Sequence, residues 1–224
     1  MKLATLFSGG KDSTYATSLA KEQGYTISCL ISIESKNQDS YMFHTPKIEL
    51  TKEQAKLMNI PIISQITNGE KEIELEDLEK AIKKAIKEYK IEGIITGAVE
   101  SIYQASRIQK ICDKLNIECF NPLWQKNQIE LLNELIKNKF EVIITKVAAE
   151  GFNDSHIGKK LDKNLIKELI TLKEKYKINP AGEGGEFETL VINCPLFKRP
   201  LKMIGKRVWS DDNGKSWRME AILK

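Results

Sequence analysis

At 224 residues the chain has room for one large domain, or for one domain and a smaller second. Its 41% hydrophobic and 29% charged residues exclude a disordered chain. No apolar run approaches the roughly 20 residues of a membrane helix, and Met1–Phe7 is too short an apolar stretch before Gly9-Gly10-Lys11-Asp12 to be a signal peptide, so a soluble cytoplasmic protein is expected. A net charge of +4, from 35 basic and 31 acidic residues, permits an anionic substrate or partner without calling for nucleic acid.

In chain order, Lys2–Phe7 reads as a first strand and Lys11–Gln23 as a helix stopped by Gly24. Tyr25–Ile33 is a second strand, Glu34–Thr45 a polar loop, Lys47–Met58 a helix and Pro61–Ile66 a strand. Leu75–Tyr89 is amphipathic, with Leu75, Leu78, Ala81, Ile82, Ala85, Ile86 and Tyr89 on one stripe. A strand over Ile91–Thr96, a helix over Ile102–Leu115 and a short strand over Ile117–Phe120 follow. This alternation predicts an α/β fold, a Rossmann-like parallel sheet with helices on both faces. After Pro122 the rhythm changes. Gln128–Lys137 is helical, Glu141–Val147 a strand, Ala148–Lys160 a loop and Asp162–Tyr176 a helix. Asn179–Glu188 is a glycine-rich loop, and strands follow over Leu190–Asn193, Leu201–Trp209 and Ser216–Leu223, the last two joined by a hairpin signal, Asp211-Asp212-Asn213-Gly214. Two domains are expected, 1–122 and a smaller α+β domain over 123–224. Cys29, Cys112, Cys119 and Cys194 include no C-x-x-C pair, so they read as reduced thiols and not as a zinc or dithiol site.

Ser8-Gly9-Gly10-Lys11-Asp12-Ser13 lies between the first strand and the first helix. A helix N-terminus offers amides and partial positive charge to an anion. Gly9 and Gly10 let phosphate oxygens reach the backbone, Ser8 and Ser13 carry hydroxyls, Lys11 carries a full charge, and Ser13 is also a candidate cap. Asp12 either orients the loop or holds Mg²⁺ through water. The spacing is not that of a Walker A loop. Thr96–Glu100 ends the fourth strand near the same crevice, where Gly97 either admits the ribose or α-phosphate or simply ends the strand. Asn179–Thr189 interleaves Glu183, Glu186 and Glu188 with three glycines. That pattern suits metal, ammonium or amide recognition, or a flexible acidic loop.

SGGKDS resembles the loop of the pyrophosphate-loop ATP pyrophosphatases. Together with Gly182-Glu183-Gly184-Gly185-Glu186-Phe187-Glu188-Thr189, it resembles the diphthine–ammonia ligase family. Tyr41–Thr45, the stretch from Gly97 to Arg107, Pro122-Leu123-Trp124 and Gly151–Leu161 resemble that family in order. The chain departs from its pattern at Ile102, Ala105 and Ser155-His156-Ile157.

The resemblance implies an adenine nucleotide α-hydrolase-like (HUP-type) sheet in an ATP-binding first domain, and a substrate-recognition second domain. It implies ATP with Mg²⁺, ammonium, and diphthine on translation elongation factor 2 as substrate. The carboxylate would be adenylated, pyrophosphate and AMP released, and an amide formed. In that scheme Ser8–Ser13, His44 and Gly97 bind ATP, and Lys11, Asp12, Glu183 and Glu186 are catalytic. Tyr103, Gln104, Arg107, Glu183, Glu186, Glu188 and Thr189 bind substrate, with the trimethylammonium group also offered to Tyr103 or Trp124. His44 and Arg107 read equally as a loop histidine and a surface ion pair. The rival readings are a tRNA-modifying adenylating enzyme and a non-catalytic nucleotide-binding module. Self-association stays open.

Overall fold

The computed structural model describes residues 1–36, 48–70, 72–211 and 214–223. The expected loop at Tyr41–Thr45, with His44, and the Asp212-Asn213 centre of the hairpin lie outside the described residues. The chain divides into two compact units, Met1–Trp124 and Gln125–Lys224.

The first unit runs β1 (Lys2–Leu6), α1 (Lys11–Glu22), β2 (Thr26–Ser35), α2 (Ile48–Met58), β3 (Ile62–Thr67), α3 (Ile73–Tyr89), β4 (Gly93–Ile95), α4 (Ile102–Leu115), β5 (Glu118–Phe120). The strands form one parallel sheet in the order β3-β2-β1-β4-β5. Parallel pairing needs a long crossover between neighbouring strands, and here each crossover contains a helix. On one face Ala4, Cys29, Ile31, Ile33 and Ile63 meet Leu78, Ala81, Ile82 and Ala85 of α3 and Ile108, Ile111 and Cys112 of α4. A large apolar side chain fully buried here, such as Leu78 or Ile82, contributes about 1.5–3 kcal/mol. Helices α1 and α2 pack on β1, β2, β3 and β4 with a separate buried set that includes Tyr15, Ala16, Leu50 and Ala55. Gly24 (φ +86°) ends α1 as expected, whereas α3 and α4 end on the left-handed residues Lys90 and Asn116.

The second unit runs α5 (Gln128–Lys137), β6 (Glu141–Val147), a 3₁₀ turn (Asp154–His156), α6 (Lys163–Tyr176), β7 (Phe187–Asn193), β8 (Met203–Asp211), β9 (Ser216–Leu223). Its antiparallel sheet has the order β7-β6-β9-β8. Asn127 and Asp162 cap α5 and α6 by accepting first-turn amides. The expected loop Ala148–Lys160 contains the 3₁₀ turn, which Asn153 and His156 close as a capping box. Strand β7 starts three residues earlier than its apolar run predicts, because Phe187 is buried and pairs with Val147 while Glu188 pairs with Lys146. Glu188 and Thr189 are therefore strand residues. Burial pushes the Cys29 thiol up to about 12 and the Cys194 thiol to about 11. Among the described residues, no helix is long and apolar enough to cross a membrane.

Candidate functional site

The sheet order reverses at β1. The chain passes from β1 outward through β2 to β3, then returns to β4 on the other side of β1. In open parallel sheets, ligands bind beyond the strand ends at such a switch point. Two segments flank it, Ser8–Gly10 after β1 and Thr96–Ser101 after β4.

Ser8–Ser13 is laced by its own hydroxyls. Gly10 N–H donates to Ser8 Oγ at 3.3 Å and Ser8 N–H to Ser13 Oγ at 3.3 Å. The two hydroxyls lie 3.1 Å apart. Ser13 is not the cap of α1. That position is Gly10, which has no side chain to satisfy the first-turn amides, so Ser13 serves the loop instead. Lys11 is 4% exposed and its Nζ pairs with Asp12 Oδ2 at 2.7 Å, so the ammonium is held by a neighbour and not presented alone. The other Asp12 oxygen, Oδ1, is buried without a hydrogen-bond partner among the described residues.

Gly97 packs tightly on the start of α1. A Cβ there would stand 2.7 Å from Ser13 N and 2.9 Å from the Asp12 carbonyl carbon. The absent side chain makes room for the first turn of α1 against the end of β4. Thr96 Oγ1 donates to Asn121 Oδ1 and accepts from Ala98 N–H at 3.2 Å, tying together the segments after β4 and β5.

Ser101 caps α4 by accepting the amide of Gln104 at 3.3 Å. Arg107 donates to Glu72 Oε1 from Nε at 3.0 Å and from Nη2 at 2.6 Å. Its guanidinium lies 3.5 Å from the centroid of the Tyr103 ring, and the Tyr103 hydroxyl donates to the same Glu72 oxygen at 3.3 Å. Arg107 therefore forms the ion pair, and it covers the Tyr103 face that the sequence offered to a substrate cation.

Sequence reasoning missed Gln54 of α2. It is fully buried and donates from Nε2 to the carbonyl of Gly9 at 3.0 Å. A polar residue on an amphipathic helix gives no periodic signal that it points inward.

In the second unit, Gly182 (φ +79°) and Gly185 (φ +81°) turn the glutamate-rich loop. Glu186 is folded back into it. Oε1 accepts from Asn179 N–H at 2.7 Å and from Asn179 Nδ2 at 2.9 Å, and Oε2 accepts from Gly184 N–H at 2.7 Å. Both oxygens thus accept hydrogen bonds inside the loop, and Glu186 helps to build it. Glu188 pairs with Lys146 at 3.1 Å. Glu183 and Thr189 are half-buried. Gln128 accepts from Ala181 N–H at 2.9 Å and fastens the loop to α5, a second contact that the sequence did not reveal. His156 is buried, accepts from Asn153 N–H at 3.1 Å and lies 3.0 Å from Glu168 Oε1, which fits a structural role. Among the described residues, no group of three or more His, Cys, Asp or Glu is arranged to hold a metal ion.

A family model described as the diphthamide synthase N-terminal domain matches residues 1–119, and one described as its C-terminal domain matches residues 127–221. Diphthine–ammonia ligases of Rattus norvegicus and Homo sapiens are each 36% identical over 220 residues, covering 90% of this chain and 82% of theirs. The Schizosaccharomyces pombe diphthine–ammonia ligase is 32% identical over 230 residues, covering 96% of this chain and 38% of its own. Among solved structures, a predicted subunit of tRNA methyltransferase from Methanocaldococcus jannaschii aligns with a TM-score of 0.44 at 20% identity, over 87% of this chain and 98% of that one, too distant a likeness to bear on function.

Proposed function

Since the chain belongs to the diphthamide synthase family, we infer that it is a ligase that amidates diphthine on translation elongation factor 2 to diphthamide at the expense of ATP. The observation that carries this is the match of both family domains, in order, along nearly the whole chain. We place the reaction in the cytoplasm, where translation factors act.

The chemistry follows in two steps. An oxygen of the diphthine carboxylate attacks the α-phosphorus of ATP, the bond to the bridging oxygen breaks, and pyrophosphate leaves. Ammonia then attacks the acyl carbon, AMP departs with the electron pair, and the nitrogen loses a proton to give the amide. Ser8–Ser13 is the ATP-binding segment of the first domain in this reading. The amide end of α1 and Lys11 stabilise charge on the departing pyrophosphate. Asp12 neutralises Lys11 in the resting loop, so the phosphates gain the ammonium by competing for it. The partnerless Asp12 Oδ1 suits an Mg²⁺ contact through water. The ion would supply further charge neutralisation at the phosphates. In the substrate domain Glu183 is the carboxylate assigned to ammonium or its proton, held in place by the loop that Glu186 shapes.

The test is mass spectrometry of diphthine-bearing factor incubated with the protein, ATP, Mg²⁺ and ammonium, with nucleotides separated in parallel. Conversion of acid to amide with stoichiometric AMP is the expected result. An unchanged factor, or ADP in place of AMP, would overturn the assignment.

A further inference from the structure

The two glycines that open Ser8–Ser13 to phosphate also leave its backbone the conformational freedom of glycine. Gly9 sits at φ +79° and Gly10 carries no side chain, so the peptide between them can rotate at little steric cost. The two sides of a trans peptide are opposite in charge. Where its N–H faces a site, the site attracts an anion. Where its carbonyl faces it, the site repels one. A glycine pair at a phosphate site therefore calls for something to choose the side.

We propose that Gln54 is that device, a positioning residue on α2 that latches the Gly9–Gly10 peptide with its carbonyl turned away from the nucleotide phosphates. Gln54 is fully buried, and its Nε2 donates to Gly9 O at 3.0 Å across a separation of 45 residues. The fit is close on both sides. A Cβ on Gly9 would stand 2.3 Å from Gln54 Oε1, so a side chain at position 9 would displace the amide of Gln54. With the carbonyl held toward α2, the following N–H is held to the opposite side, where the Ser8 hydroxyl accepts it at 3.3 Å. Gln54 is thus placed to act through the loop's electrostatics without touching the nucleotide. Leucine keeps the volume and loses the donor. Glutamate is worse, because its carboxylate faces the Gly9 carbonyl and adds negative charge behind the phosphate site.

This inference rests on the ATP-dependent reading above, and two measurements separate their fates. Direct titration with ATP tests the latch, and amidation of the factor tests the reaction. For Gln54→Leu we expect ATP to bind about tenfold more weakly, the effect of one lost buried hydrogen bond. Inhibition by inorganic pyrophosphate should weaken by a similar factor, while the KM for the diphthine-bearing factor stays at the wild-type value. Gln54→Glu should weaken ATP and pyrophosphate further, and Gln54→Asn should recover less than half of the loss because its amide is one methylene short. In a double-substitution cycle, Gly9→Ala should be less damaging in a Gln54→Ala background than alone, since the 2.3 Å conflict disappears. Wild-type ATP and pyrophosphate affinities in Gln54→Leu would overturn the proposal. So would equal losses for ATP and the factor, which mark general disruption. Strictly additive effects of positions 9 and 54 would do the same.

Discussion

Three glutamates in one short loop look equivalent in the sequence, and the structure gives each a different neighbourhood. Glu186 accepts three N–H groups of its own loop, Glu188 pairs with Lys146 across two strands, and Glu183 is half-buried between the turning glycines. The distinction depends on which backbone amides each carboxylate meets, and no residue pattern encodes that. It has a measurable consequence. Glutamine at position 186 puts an amide NH₂ where acceptors are needed, so Glu186→Gln should destabilise the protein by about 1–3 kcal/mol. Glu183→Gln should destabilise less than Glu186→Gln and should abolish amide formation, while exchange of labelled pyrophosphate into ATP in the presence of the factor continues. Thermal denaturation beside the exchange assay distinguishes the two. Equal destabilisation by both substitutions would make Glu183 a structural residue too.

At the scale of elements, hydrophobic periodicity carried most of the fold. Helices α4 and α5 and strand β6 have the limits that their apolar spacing predicts, because each presents one face or run to a core. Where the boundary is set by something other than an apolar face, the reading failed. The 3₁₀ turn is closed by Asn153 and His156, and β7 is extended by backbone pairing of Phe187 with Val147 and of Glu188 with Lys146. Gln54 escaped for the same reason. Its burial is a property of where α2 lies, not of the helix's own pattern. Gly97 marks a backbone in close approach, and the first turn of α1 is one approaching group. Gly97→Ala should drive its methyl into the Ser13 amide and cost about 1–3 kcal/mol, read by urea denaturation. It should also weaken ATP by displacing the start of α1. Full stability in that variant would mean that α1 yields without cost.

At the scale of the whole molecule, the expected parallel α/β sheet is present, and so is a smaller unit with an antiparallel sheet. Ligand linkage gives its own test. ATP at a hundred times its Kd should raise stability by about 2.7 kcal/mol, and hydrogen exchange should slow most around residues 8–13 and 96–101. Slowing confined to other segments would move the nucleotide away from the switch point. The order β7-β6-β9-β8 has a further consequence, for the time course of folding. In the first unit each neighbouring strand arrives after one helix, except where β4 returns to β1. In the second, β6 has β9 as its inner neighbour, joined at Lys146–Arg218 and Val147–Trp217. That pairing closes a long loop of chain, so its entropy must be lost before any contact repays it. As the chain emerges from the ribosome, the parallel sheet can be complete while β6 still waits with one edge bare. A translation pause or a truncation before Ser216 therefore leaves a half-built sheet with a bare edge, a template on which a second chain can pair.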